Sequence, residues 1–289
     1  MTSPNVSDQE AQHLCFQEWM KLQQQGLLEL IHALHNSSSS SSSTPSASSS
    51  CTSTTTTTTT TTSSISDFKL KQLIEKSIKH FQDYVDKRRH FAHNDVTAYL
   101  APTWCTTLES SMLWISGCRP SSFIRLVYAI SGKELESHIS DYLQGERSGN
   151  LCELSTMQVN LVDELQRKTI RQENQLSSKL ASLQEEVADQ PIAIIANEVG
   201  NLDEICREAE EALDKHARCL MTLVEEADKL RMETLKELVM NILSPLQAVK
   251  FLIASKKLHL CINAWGKTRD HQHGRKGGTT EREACPTLS

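Results

Sequence analysis

The hydrophobic positions of this chain recur at steps of three and four residues over long stretches, with polar positions between them. The longest stripe runs from Leu202 to Leu238, and a second ends at Val187 in a segment that begins near Ser155. A repeat of about 3.6 residues places such side chains on one face of an α-helix. The pattern predicts two long amphipathic helices that pack in a bundle.

Short sequence patterns also mark where helices begin. In a capping box, a Ser, Thr or Asn side chain accepts a hydrogen bond from the backbone N–H three residues later. The Glu or Gln side chain at that later position accepts one from the backbone N–H of the first residue. Proline suits the first helical position, where its missing N–H has no partner, and Pro245 follows one of the boxes directly. These starts and the apolar periodicity predict an all-α fold, a helical bundle of about seven helices. The six boxes are Ser7/Glu10, Thr106/Glu109, Ser131/Glu134, Ser155/Gln158, Asn201/Glu204 and Ser244/Gln247.

One segment has no hydrophobic periodicity. Over 37–64 every position except three is Ser or Thr. Such a segment buries too little apolar surface to offset the entropy lost on ordering, so it predicts a disordered Ser/Thr-rich linker. The linker separates an N-terminal helix over 1–36 from a helical domain over 65–268, and a polar tail over 269–289 is also predicted to be disordered.

Composition and charge narrow the protein class. The chain has 289 residues, 38% of them hydrophobic, but only 5% aromatic and ten glycines, which disfavours an all-β fold. A formal charge of −6 is not that of a protein that coats nucleic acid. Nine scattered cysteines without a CxxC pair indicate a reduced protein. Without a signal segment or a run of about 18 apolar residues, we expect an intracellular protein that makes no membrane contact.

Signatures of catalysis and of metal binding are weak. The sequence contains no Gly-rich phosphate loop, GxSxG or HExxH pattern, so an enzyme is not expected. Two histidine pairs, His32/His35 and His90/His93, have a spacing that puts both rings on one helix face. Two ligands do not make a metal site, and we interpret them as ordinary polar or capping residues.

The C-terminal end of the chain carries a local excess of positive charge. Six basic side chains face a single acid, Asp270. They complement the C-terminus of the last helix, or they form a nuclear localisation signal or a phosphate-backbone contact. The sequence leaves these interpretations open. The six residues are Lys256, Lys257, Lys267, Arg269, Arg275 and Lys276.

Several separated motifs together resemble the plant delay-of-germination family. The same module is similar to the C-terminal half of the TGA class of bZIP transcription factors. The resemblance implies an α-helical, non-catalytic regulator of seed dormancy and maturation in abscisic-acid signalling, located in the nucleus, the cytoplasm or both. The motifs are Cys15-Phe-Gln-Glu-Trp-Met20, Leu100-Ala-Pro-Thr-Trp104, Leu113-Trp-Ile-Ser-Gly-Cys-Arg-Pro-Ser-Ser122, Glu225-Glu-Ala-Asp-Lys-Leu-Arg231 and Lys256-Lys-Leu-His-Leu260.

One of these motifs predicts a corner between two helices. Gly117 permits a left-handed helix end, and Pro120 prevents the helix from continuing. We expect Trp104 and Trp114 to anchor the packing around this corner, and Arg119 to bond exposed helix carbonyls.

The resemblance also implies a docking partner, a type-2C protein phosphatase contacted through the N-terminal helix. The candidate partner-binding residues are Phe16, Glu18, Trp19 and Met20. The apolar stripe of this helix must be buried, either on its own bundle or in a partner's groove with Trp19 as the anchor. The alternative is a nuclear transcriptional regulator that associates with DNA indirectly or through the basic C-terminal end. Self-association of the bundle stays open.

The resemblance further implies haem, held by two histidines one turn apart on the last helix. Here the first position is His259 and the second is Asn263. Because asparagine is a poor iron ligand compared with imidazole, we expect weak or absent haem binding, with His259 as the single candidate ligand.

Overall fold

A computed structural model describes residues 6–39, 58–143, 154–189, 191–197 and 202–275. Within these ranges the regular structure consists of nine α-helices and one π-helical turn, which confirms the all-α prediction. There are more helices than the seven predicted because three of them are only five or six residues long. Helices this short span less than two turns and show no recognisable periodicity.

The helices divide into six long ones and three short ones. The long helices are α1 (Val6–Ser39), α2 (Thr58–Asn94), α5 (Ser121–Leu143), α6 (Thr156–Glu186), α8 (Leu202–Lys236) and α9 (Pro245–Gln272). The short helices are α3 (Val96–Leu100), α4 (Thr107–Ser111) and α7 (Ile192–Asn197), and the π-helical turn, Glu237–Ile242, continues α8.

These bounds differ slightly from the predicted divisions of the chain. Helix α1 ends at Ser39, and α2 already begins at Thr58. The intervening part of the predicted linker lies outside the described residues, as do the predicted start at Asn201 and the tail beyond Arg275.

Three of the predicted capping boxes are present in full, at Thr106, Ser155 and Ser244. The start predicted at Ser131 is wrong, because this serine lies inside α5. Its hydroxyl donates to the Val127 carbonyl one turn earlier, at 2.9 Å. A serine within a helix satisfies its hydroxyl in this way, so the pattern alone does not mark a helix start.

The core is centred on the C-terminal half of α8. Ala227 and Thr234 of the predicted stripe, and Leu238 of the same stripe in the π-helical turn, are fully buried, whereas the stripe's Cys219 is exposed. Around this half, α1, α2, α5, α6 and α9 contribute to one apolar cluster, while α2, α3 and α6 contribute to a second. The stripe predicted to form one long helix is confirmed, and its C-terminal half is the central element of the bundle.

The corner after α4 differs from the expectation for its glycine. Left-handed backbone falls on Ile115 (φ 45°) and Ser116 (φ 58°), and Gly117 does not have a positive φ. Gly117 instead makes room, because a Cβ there would lie 2.7 Å from the guanidinium carbon of Arg231. Arg88 also donates to the Ser116 carbonyl, so two arginines hold this turn.

The Arg231 guanidinium is the centre of a buried polar network. It is 1% exposed and donates to the carbonyls of Ile115 (2.9 Å), Cys118 (2.7 Å) and Trp114. It also pairs with the buried Asp228 carboxylate at 2.5 Å. Arginine has enough N–H donors to satisfy several acceptors from one side chain.

The role expected for Arg119 is therefore filled by a different arginine. Arg119 itself donates to the fully buried Glu173 carboxylate at 2.7 Å. The same carboxylate accepts from the Ser121 N–H at 2.6 Å and from its hydroxyl at 3.0 Å, at the start of α5. Glu173 of α6 thus satisfies first-turn donors of another helix.

Candidate functional site

The N-terminal helix α1 lies on the bundle, in contact with α2 and α9. Leu27 and Leu30 of its stripe belong to the main apolar cluster, and Leu30 is 1% exposed. Of the two ways to bury this stripe, the structure has the first, in which the helix folds back onto its own domain.

Trp19 sits in an aromatic cage between α2 and α9. Its ring stacks on Tyr84 with centroids 4.4 Å apart and an interplanar angle of 6°. The ring centroid of Phe81 lies 5.8 Å from that of Trp19, and the ring centroid of His259 lies at 6.5 Å in an edge-on arrangement. Trp19 is 8% exposed, so the proposed anchor is inaccessible to a partner while α1 is docked.

The other three candidate docking residues remain at or near the surface. Glu18 is exposed and pairs with Lys87, also exposed, at 3.2 Å. Phe16 and Met20 are half-buried. The four predicted residues are therefore adjacent on one helix, but their accessibility differs.

A buried polar contact lies further along the same interface. The Lys256 ammonium donates to Gln23 Oε1 at 3.1 Å, and a Cβ on Gly26 would lie 3.3 Å from that ammonium. Burial lowers the pKa of Lys256 to about 8, against the opposing effect of the Glu29 carboxylate. The prediction that Lys256 belongs to the basic C-terminal surface is therefore wrong. Gly26 is a packing position of this interface that no sequence pattern marked.

The arrangement around His259 does not fit haem. Its Nε2 is buried without a hydrogen-bond partner, its ring is covered by Trp19, and burial lowers its pKa. At the second position, the Asn263 amide donates to Glu109 Oε1 at 3.0 Å and is itself buried. An iron porphyrin would have to displace α1 to reach His259, and it would find an occupied amide one turn away.

The other basic residues on the second half of α9 lie nearer the surface than Lys256. Lys267 and Arg269 are exposed and Lys257 is half-buried, and Trp265 is 50% exposed. The Asp270 carboxylate turns inward and accepts from the Thr107 N–H at 2.9 Å, at the start of α4. These hydrogen bonds and the nearby Arg275 lower the pKa of Asp270.

Among the helices of the described ranges, none is both long enough and apolar enough to cross a membrane.

Comparison with known proteins identifies the family. A family model described as "DOG1: Seed dormancy control" matches residues 54–129. Protein DOG1-like 1 of Arabidopsis thaliana is 36% identical over 98% of this chain and 100% of its own length, and Protein DOG1-like 3 is 34% identical over 94% and 89%. Transcription factor TGA1 of the same plant is 28% identical over 66% of this chain and 45% of its own length. The chain belongs to the DOG1-like family of seed dormancy proteins.

Proposed function

We propose that this protein is a non-enzymatic adaptor that controls seed dormancy in abscisic-acid signalling by docking a type-2C protein phosphatase. Membership of the DOG1-like family supports the role in dormancy. The observation that carries the docking role is the surface of α1 around Trp19. There an exposed carboxylate and two half-buried apolar side chains flank an anchor held by ring stacking.

The chemistry of this surface suits protein recognition. Phe16 and Met20 lie four residues apart, one helical turn, and therefore share a face. Glu18 lies two positions from each of them and therefore on the opposite side of the helix, where it pairs with Lys87. Apolar side chains that lie together on one helix face can form the apolar centre of a protein interface.

The test is a binding titration of the full chain against a recombinant plant type-2C phosphatase. The double variant Phe16→Ala/Met20→Ala should weaken binding by about tenfold or more, because central apolar anchors carry most of the affinity of an interface. The matched control is Leu28→Ala, since Leu28 is 69% exposed on the same helix but lies two turns further on. Equal affinity of wild type and both variants would contradict this docking site.

A second candidate function is a nuclear transcriptional regulator. The similarity to TGA1 and the exposed cations of α9 favour it. Binding to DNA through Lys257, Lys267 and Arg269 should weaken steeply as salt increases, because each phosphate contact releases counterions. Docking through apolar side chains of α1 should depend little on salt, and this difference separates the two functions.

A further inference from the structure

The interface between α1 and the rest of the bundle contains buried polar atoms without hydrogen-bond partners. They are Oε1 of Gln12, Nε2 of Gln23 and Nε2 of His259. A polar atom that leaves water without gaining a partner destabilises the contact that buries it. Undocking of α1 would return these atoms to water.

The same interface buries a cation. The Lys256 side chain is 5% exposed, and the acceptor of its ammonium is the neutral amide of Gln23. The nearby Glu29 carboxylate pairs instead with Lys76 at 2.7 Å. A buried ammonium without a carboxylate partner is costly, and the lowered pKa of Lys256 has the same origin.

The connection to α2 permits α1 to leave. Residues 40–57 join the two helices and consist mostly of Ser and Thr. A chain of this length can span up to about 60 Å when extended, at about 3.3–3.6 Å per residue. A connection of this length allows α1 to separate from both α2 and α9 while it stays joined to the chain.

We propose that α1 is a releasable element, and that the partner binds the released helix through the face that now contacts α2 and α9, with Trp19 as its anchor. This inference rests on the proposed docking function. The partner surface it requires is an apolar groove that accepts an amphipathic helix. In the docked state the protein withholds Trp19, so the equilibrium between docked and released α1 sets the apparent affinity.

Two variants with an identical α1 test this coupling. Gln23→Leu removes the acceptor and leaves the Lys256 ammonium buried alone, so it should favour release. Gln23→Leu/Lys256→Met removes the cation as well and makes the contact apolar, so it should favour the state in which α1 is packed on the bundle. The measurements are hydrogen exchange of α1 amides and phosphatase affinity, with α8 amides as the control for an intact bundle.

We expect α1 amides to exchange about tenfold faster in the single variant than in the double variant, and phosphatase to bind the single variant about tenfold more tightly. The exchange rate of wild-type α1 should lie between those of the two variants. If the two variants bind phosphatase with equal affinity although their α1 amides exchange at different rates, the proposed release of α1 is overturned and the proposed binding of phosphatase is not. If phosphatase binds neither wild type nor either variant, both the proposed docking of phosphatase and the proposed release of α1 are overturned.

Discussion

The strongest test of the fold is the replacement of Arg231 by methionine. The guanidinium pairs with Asp228 and donates to three carbonyls of the turn that follows α4. Arg231→Met keeps most of the volume of the side chain but removes every one of these donors. It leaves the Asp228 carboxylate, which is 1% exposed, without its cation.

The magnitude follows from this uncompensated charge. Removing one partner of a buried ion pair costs about 3–5 kcal/mol. For a domain of this size, 1 kcal/mol corresponds to roughly 2–4 °C, so the Tm should fall by about 6–20 °C. The free energy of unfolding can be measured by urea titration followed by helical circular dichroism. Arg231→Met/Asp228→Leu should recover part of the loss, because no charge is then buried alone.

The matched control is Lys229→Met on the same helix. The Lys229 side chain is 74% exposed and approaches Glu233 at 3.9 Å, so the change should be within about 0.5 kcal/mol of wild type. If the free energy of unfolding of Arg231→Met is also within about 1 kcal/mol of the wild-type value, then the guanidinium does not stabilise the turn after α4, and the role given to Arg231 is refuted.

Three further predictions concern the packing positions. Gly117→Ala should lower the free energy of unfolding by about 1–3 kcal/mol, because the new Cβ would lie 2.7 Å from the guanidinium carbon of Arg231. The control Gly132→Ala has open space around its Cβ and should be neutral or stabilising. Similar urea unfolding curves for the two variants would contradict this prediction. Trp19→Ala should weaken α1 docking by about 3–5 kcal/mol and speed hydrogen exchange in α1 but not in α8; wild-type protection of α1 would show that the cage contributes little. The pKa of Lys256 falls from 10.5 to about 8 on folding, so the unfolded chain binds more protons between these values, and stability should rise with pH there relative to the double variant without Lys256. Urea titrations at pH 8 and pH 10 measure the free energies of unfolding of wild type and of this double variant. If the difference between the two proteins is the same at both pH values, the effect is excluded.

The helical class, the positions of the long helices and three helix caps could be predicted from the sequence. The stripe through Ala227 and Leu238 and the boxes at Thr106, Ser155 and Ser244 depend on residues within about four positions of one another. Such local relations are visible in a linear chain, since one helical turn brings these positions together. The motif around Trp19 likewise marked α1 as a candidate site before its surroundings were known.

The tertiary structure alone decided which of these residues are accessible and what they contact. Lys256 and Lys257 are neighbours of the same type, yet only Lys256 is buried, against a glutamine from α1. Gly117 appears in the sequence as a conformational glycine, but its requirement comes from Arg231, 114 positions away. The side chain that meets a given position across the bundle depends on how whole helices pack, which no local pattern specifies. For this reason the docking of α1, the burial of Trp19 and the unpaired polar atoms beneath the helix became known only from the assembled bundle.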